Sequence, residues 1–221
     1  MSCNTLAGVV LALLLSALPM HATAQQLIGT QTSGPQSDKN AAGKAEAFRA
    51  TAALSGTVAS ITVYVDVTST ATVLTTGLYS DAAGRPGTLL AQGSLIAPVA
   101  GQWNKVPVQA ANVVAKTVYW IAVLGPRGKG VLAFRDYPAG NGLNFTSAET
   151  NLDSLKATWT NGVAYTNAPI SAFASAATST QPILSTSPSA LNFSYAQGDP
   201  APAASSLSVT NTGGGTLSFS A

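Results

Sequence analysis

Apolar and polar residues alternate in short runs along most of this chain. The clearest run is Val58–Val67, whose odd-numbered positions are all apolar and whose even-numbered positions after Val58 are polar. A period of two places successive side chains on opposite faces of an extended segment. We therefore predict an antiparallel strand here, with Ala59, Ile61 and Val63 on its buried face and Val58 and Ser60 on its wet face.

Similar runs follow, separated by residues that favour turns. They predict further strands at Ala45–Ala52, Val73–Tyr79, Leu89–Ile96, Trp103–Gln109, Val113–Val123, Val131–Tyr137, Val163–Tyr165 and Ile170–Phe173. Gln25–Gly43 is polar and predicts an extended start with a short strand around Leu27. Two segments stay open: an Ala-rich helical turn competes at Ala45–Ala52, and a helical turn or a strand start at Asn151–Trp159. Pro107 predicts an edge position or a bulge. The pattern predicts an all-β sandwich.

Two segments have the composition of tight turns. Ser80–Gly87 combines Asp, Gly and Pro residues between two apolar runs, and Asn161-Gly162 is a hairpin signal. A calcium ion on Asp81 is an alternative for the first segment, but the alternation of Asp and Asn found in a calcium loop is missing. Hydrogen bonding of Asp81 to its own turn explains the residue more simply, so we expect no metal and no cofactor.

Residues 1–24 resemble a secretory signal peptide. The apolar core Leu6–Leu18 is too short to span a membrane, and Ala22-Thr23-Ala24 offers small residues for cleavage. Met1–Thr5 carries no Lys or Arg, which departs from the usual pattern. Because Cys3 precedes the apolar core, we expect export rather than a lipid anchor, and no later segment is apolar enough to span a bilayer.

Export has a chemical consequence. The only Cys and the only His of the chain, Cys3 and His21, lie in the segment that cleavage would remove. The mature protein would then lack disulfides, thiolate nucleophiles, Ser-His-Asp triads and His/Cys zinc sites. Charged residues make up only 8% of the chain, and the formal net charge is +2. With no basic block, nucleic acid is not an expected partner.

The composition divides the chain into two modules. We predict a β-sandwich domain at 25–174, a flexible linker at 175–182 and an incomplete immunoglobulin-like domain at 183–221 with strands at Leu191–Tyr195, Ser206–Thr210 and Thr216–Phe219. A complete immunoglobulin-like sandwich takes about 100 residues. The sequence is therefore expected to be a fragment of a longer protein or the product of a truncated gene.

Two resemblances accompany this division. The motifs Leu78-Tyr79-Ser80-Asp81, Gly84-Arg85-Pro86-Gly87, Gly101-Gln102-Trp103-Asn104 and Thr117–Ala122, in this order, resemble an uncharacterised jelly-roll-like β-sandwich domain of secreted bacterial proteins, over about residues 27–175. The runs Leu184–Phe193 and Val209–Phe219 are similar to the BACON-type immunoglobulin-like repeats. The first resemblance implies a fold like that of carbohydrate-binding modules. The second implies a spacer, or an adhesive and glycan-associated module, with no catalytic motif.

The carboxylates give no distinct catalytic pattern. Eight are spread over the mature chain, and a glycosidase would need two of them, such as Asp136 and Glu149, across a cleft. Several lie beside turn residues, as expected of a solvated surface. We predict no catalytic residue, and the protein is not expected to be an enzyme.

Aromatic side chains are the candidates for ligand binding, because sugars stack their apolar faces on such rings. Tyr137, Trp159 and Tyr165 lie at predicted loops, where binding residues concentrate, and Asn161 could bond a hydroxyl group. Arg135, Asn141 and Asn144 are nearby polar candidates. The alternative is that these aromatic side chains pack the ends of the sandwich. Tyr119 and Trp120 are adjacent in one strand, so one is expected in the core and the other outside.

These observations favour a non-catalytic, secreted or cell-surface recognition and adhesion module. An extracellular polysaccharide or a cell-surface glycan is the expected partner. The alternatives are the N-terminal accessory region of a larger secreted hydrolase and a structural spacer.

Overall fold

The computed structural model describes residues 24–177, 182–192, 200, 202–212 and 217, and all structural statements concern these residues. They form β-strands and contain no α-helix, which confirms the all-β prediction. Ala24–Ala177 is one compact unit, and the residues described beyond it belong to a second unit. Among the described residues, no helix has the length and apolar character needed to cross a membrane.

The first unit contains twelve strands. They are β1 (Gln26–Gly29), β2 (Gln36–Asn40), β3 (Ala45–Thr51), β4 (Gly56–Val65), β5 (Val73–Asp81), β6 (Pro86–Ile96), β7 (Gln102–Val113), β8 (Val118–Leu124), β9 (Leu132–Asp136), β10 (Asn144–Ser147), β11 (Asn161–Tyr165) and β12 (Ala172–Ala176).

These strands form two six-stranded antiparallel sheets. Sheet A has the order β1-β12-β4-β9-β2, with β7 also paired to β4, and sheet B has the order β11-β10-β3-β8-β5-β6. Side chains of both sheets, such as Val63 and Phe134 from sheet A and Phe48 and Ile121 from sheet B, form one buried apolar cluster. The sheets therefore stack as a sandwich with the core between them.

Sheet B also buries its other face. Tyr119 and Trp120 point to opposite sides of β8, as predicted, but both are buried. Tyr119 belongs to the core between the sheets, and Trp120 belongs to a second apolar cluster. Leu152, Leu155 and Trp159 complete that second cluster from a segment without regular structure. This segment covers a face that the sequence pattern assigns to solvent.

A β-bulge changes the predicted faces of β4. Ala176 and Ser175 of β12 are adjacent but pair with Val58 and Ser60, which leaves Ala59 as an extra residue on β4. Because a bulge inserts an extra residue on one strand, the alternation slips by one position. Val58 therefore joins Ile61 and Val63 in the core, contrary to the prediction. On the other side of β4 the register with β7 also shifts, and Pro107 pairs with Ser60 there, which confirms its predicted place at a bulge.

Several predicted boundaries also differ from the structure. Ala45–Thr51 is a strand, which excludes the alternative helical turn. Asn161-Gly162 is the start of β11 and not a hairpin turn. The predicted linker begins too early, because Ser175 and Ala176 are the last residues of β12. In the predicted turn after Tyr79, Asp81 accepts a hydrogen bond from the Gly84 N–H (2.9 Å), which confirms its role within its own turn.

The second unit is described only in part. It contains β13 (Leu184–Ser187) paired antiparallel with β14 (Ser208–Asn211), and β14 matches the predicted strand Ser206–Thr210. The predicted signal segment 1–24, the middle of the predicted linker and the strands predicted at Leu191–Tyr195 and Thr216–Phe219 lie, apart from a few residues, outside the described residues.

Candidate functional site

A layer of polar side chains continues the core at one edge of the sandwich. Phe48 on β3 and Phe134 on β9 meet edge to face across the two sheets, with ring centroids 5.5 Å apart. Glu46 lies two residues before Phe48, and Asp136 lies two residues after Phe134. Each of these acids therefore shares the inward face of its strand with that Phe. Both are buried, with exposed fractions of 2% and 1%. Two carboxylates thus occupy positions that the strand period assigns to the core.

Glu46 is held by two amide groups. Asn40 Nδ2 donates to Oε2 at 2.8 Å, and Asn144 Nδ2 donates to Oε1 at 2.5 Å. Burial raises the pKa of Glu46 to about 7, and the negative charge of Asp38 adds to this rise. The two amide hydrogen bonds and the positive charge of Lys44 lower the pKa of Glu46, but by less than the burial raises it. The burial of an acid that has no paired cation therefore brings its titration close to neutral pH.

Asp136 shares an amide donor with a second carboxylate. Asn167 Nδ2 donates to Asp136 Oδ2 and also to Asp38 Oδ2, at 3.1 Å in the second case. The other oxygen of Asp136, Oδ1, is buried and has no hydrogen-bond partner. Burial raises the pKa of Asp136 to about 7, and the charge of Asp38 raises it further. The carboxyl groups of Asp38 and Asp136 therefore lie side by side, and that of Asp136 is fully buried.

The two carboxylate groups belong to one network. The Asn167 backbone N–H donates to Asn144 Oδ1 at 3.2 Å, and the same Asn144 side chain donates to Glu46. β2 supplies Asp38 and Asn40, and β9 supplies Asp136. β3 and β10 supply Glu46 and Asn144 from sheet B. The network therefore joins the two sheets at this edge.

An open cleft of about 550 Å³ lies over the Asp38–Asp136 end of the network. Its walls come from β2, β9, the loop after β9, β11 and the residues that follow β11. The lining residues are Gln36, Ser37, Asp38, Asp136, Ala139, Ala164, Tyr165, Thr166 and Asn167. The loop wall is fixed by Thr166, whose carbonyl oxygen accepts hydrogen bonds from the N–H groups of Gly140, Asn141 and Gly142. The cleft thus has a polar floor and a defined backbone wall.

One of the four predicted ligand-binding residues lines this cleft. Tyr165 does so and keeps 46% of its surface exposed. Tyr137 is half-buried, and its N–H donates to the Asn167 carbonyl oxygen at 3.3 Å. Asn161 stands opposite Ser147 at the other end of β11. The structure therefore does not bring the four residues together.

Trp159 is placed in the core instead. It is only 7% exposed, and its ring packs edge to face on Tyr79 with centroids 5.2 Å apart. This is the packing role that was the alternative prediction for the aromatic side chains. A ring buried in this way offers no face to a ligand.

The carboxylate pair considered from the sequence is also not assembled. Asp136 lies beside Asp38, whereas Glu149 does not line the cleft, and its charge acts on Tyr79. The described residues hold no group of three or more His, Cys, Asp or Glu side chains close enough to bind a metal ion. Chemically, the cleft offers carboxylate and amide oxygens, amide N–H donors and one exposed aromatic ring.

Asp38, Asn40 and Asn167 were not predicted as members of a site, and the physical reason lies in β2 for the first two. β2 has the sequence Gln-Ser-Asp-Lys-Asn, which is polar on both faces, because its inward face meets the polar network and not the apolar core. One signal was present for Glu46 and Asp136. Each stands two residues from a Phe in a short strand, so each shares the face of that Phe.

Comparisons with known proteins do not assign a function to this site. No protein-family model matches the chain, and neither the curated proteins nor the solved structures gave a significant match. The resemblances to a jelly-roll-like domain and to BACON-type repeats therefore stay predictions.

Proposed function

We propose that the sandwich is a non-catalytic recognition module that binds a glycan in the cleft. The observation that carries this proposal is the position of Tyr165, a half-exposed aromatic ring beside the planar polar side chains of Asp38 and Asn167. A sugar ring can stack its C–H face on an aromatic side chain while carboxylate and amide groups bond its hydroxyls.

The charge of the cleft narrows the ligand class. Among the described residues that line it, only Asp38 and Asp136 are of the Asp, Glu, Lys or Arg type, and both are acidic. An anionic ligand would meet like charges, which weakens association. A neutral, hydroxyl-rich polysaccharide therefore fits better than a phosphorylated or uronic acid ligand.

We also propose that the protein acts outside the cell. The apolar run Leu6–Leu18 followed by Ala22-Thr23-Ala24 supports export, as does the low fraction of charged residues. The antiparallel pair of β13 and β14 supports an immunoglobulin-like second module. The stacked antiparallel sheets support a jelly-roll-like first module.

A glycan array with the full chain tests the proposal, followed by calorimetric titration of any neutral glycan that binds. The Tyr165→Ala variant should bind at least about 10-fold more weakly, because truncation of a central aromatic contact costs more than about 1.4 kcal/mol. Val163→Ala is the matched control: Val163 is 52% exposed on the same strand but does not line the cleft. Equal affinity of both variants, or no binding to any glycan, would contradict the proposal.

A further inference from the structure

The floor of the cleft has acidic oxygens without a compensating cation. Both ion pairs among the described residues lie elsewhere, between Arg127 and Asp153 and between Arg135 and Asp66. Arg135 precedes Asp136 in β9, but alternation along the strand directs the two side chains to opposite faces. Arg135 therefore pairs with Asp66 on the outer face of the sheet and does not neutralise Asp136.

Two residues on this floor each have a buried oxygen without a hydrogen-bond partner. Asp136 is 1% exposed, and its Oδ1 has no hydrogen-bond partner. Asn167 Oδ1 is also buried without a partner, while its Nδ2 lies between the carboxylates of Asp136 and Asp38. A buried carboxylate oxygen without a partner is costly, so the site is poised for a positive group.

We propose that Asp38, Asp136 and the Asn167 amide oxygen form a binding site for a divalent cation, with calcium preferred. A half-turn of the Asn167 amide exchanges Nδ2 and Oδ1, which gives three side chains with oxygen donors around one point. Calcium accepts carboxylate and amide oxygens in a flexible geometry and fills its remaining positions with water. The absence of His and Cys ligands among the described residues of the cleft disfavours transition metals.

The open side of the cleft would supply those water positions. Two carboxylates and one amide are few protein ligands for calcium, so we expect weak binding, with a Kd on the order of 10⁻⁴–10⁻³ M. This site does not depend on the proposed glycan function, because the metal alone is the probe. A negative glycan array leaves the cation site standing, and a negative metal test leaves glycan binding standing.

The competing possibility is that the two carboxylates hold a shared proton instead. The decisive experiment is thermal unfolding of the full chain at pH 7.5 after EDTA treatment. It compares 10 mM CaCl₂, 10 mM MgCl₂ and NaCl of matched ionic strength. Calcium should raise Tm by about 3–8 °C relative to NaCl, and magnesium should raise it less. Calorimetric titration of the unmodified chain with CaCl₂ should give about one site.

Two variants sharpen the test. Asp38→Asn should abolish the calcium-dependent rise in Tm, whereas Asp153→Asn, which changes an exposed carboxylate, should retain it. Should Asp38→Asn fail to fold, the titration of the unmodified chain still decides. The proposal is overturned if calcium has no effect beyond that of NaCl, or if Asp38→Asn keeps the full rise. It is equally overturned if calcium has no effect while Asp38→Asn is more stable at pH 7.5, which would indicate a shared proton only.

Discussion

Asp66 and Glu46 are buried to almost the same extent, yet their surroundings shift their pKa values in opposite directions. Burial by itself raises the pKa of both. At Asp66 this effect is outweighed, because Thr68 donates its N–H (3.0 Å) and its hydroxyl (2.7 Å) to Oδ1 and Arg135 Nε lies 2.8 Å from Oδ2. The pKa of Asp66 is therefore lowered, while the pKa of Glu46, which has only amide partners, rises to about 7.

This difference shows that hydrogen-bond donors and charge pairing together decide the direction in which the pKa of a buried acid shifts in this fold. It also predicts two opposite contributions to stability. A lowered pKa stabilises the fold above the ordinary value of 3.8 for Asp, and that stability is lost as the pH falls. A raised pKa stabilises the fold in its protonated form, and that stability is lost as the pH rises from 4.5 towards 7.

The pH dependence of stability that Glu46 imposes should exceed the effects of the other substitutions below. Because the folded state holds its proton more tightly than the unfolded state, its contribution should fall by about 2–3 kcal/mol between pH 5 and pH 8. In Glu46→Gln this share should disappear, so the free energy of unfolding should fall correspondingly less over that range. Urea denaturation in EDTA at several pH values measures it. Asp153→Asn is the control with an exposed carboxylate, and an unchanged slope in Glu46→Gln would argue against the assignment.

The ion pair between Arg135 and Asp66 should give a second, smaller effect. Arg135→Met keeps the aliphatic stem but leaves Asp66 without its cation, which should cost about 2 kcal/mol at pH 7. We place this below the 3–5 kcal/mol typical of fully buried pairs because the Arg135 side chain is 32% exposed. The exposed pair of Arg127 and Asp153 gives the matched control, since Arg127→Met should cost about 0–1 kcal/mol.

A second substitution checks that the loss comes from the stranded charge. Adding Asp66→Asn to Arg135→Met removes that charge and leaves an oxygen for Thr68, so part of the stability should return. Denaturant unfolding of the single and double variants decides, and purely additive losses would speak against an ion-pair role.

The smallest effect concerns the amide partners of Glu46. Asn40→Ala removes the donor to Oε2, and hydrogen bonds to a charged acceptor are stronger than those to a neutral one. The loss of stability should therefore be about 1 kcal/mol larger at pH 8, where Glu46 is mostly ionised, than at pH 5. Asn112→Ala, which removes an exposed hydrogen bond to Thr57, should cost the same at both pH values. Equal losses at both pH values for Asn40→Ala would show that Glu46 is not ionised at pH 8.

Much of the fold could be predicted from the sequence, because alternating side chains report which strands have one buried face. β4, β5, β6, β7, β8 and β9 all overlap their predicted positions, although the strand predicted from Val113 begins five residues later, at Val118. Of the candidate site, Tyr165 was predicted as a ligand-binding residue next to a loop and Asn144 as a nearby polar candidate, while Asp136 was considered only as one of a catalytic pair. β2 was not predicted, because a strand that faces a polar network has no apolar side to detect.

The sequence alone is enough to predict the all-β class, most strands and the hydrogen-bonding role of Asp81 within its turn. These depend on local properties: the period of two, turn residues and the backbone preferences of Gly and Pro. The folded chain is needed to show that Trp159 is buried, that Val58 turns inward and that Asp38, Asp136 and Asn167 meet. Those outcomes depend on contacts between residues far apart in the chain, such as Asp38 and Asn167, and no local pattern specifies which distant partner a side chain will face.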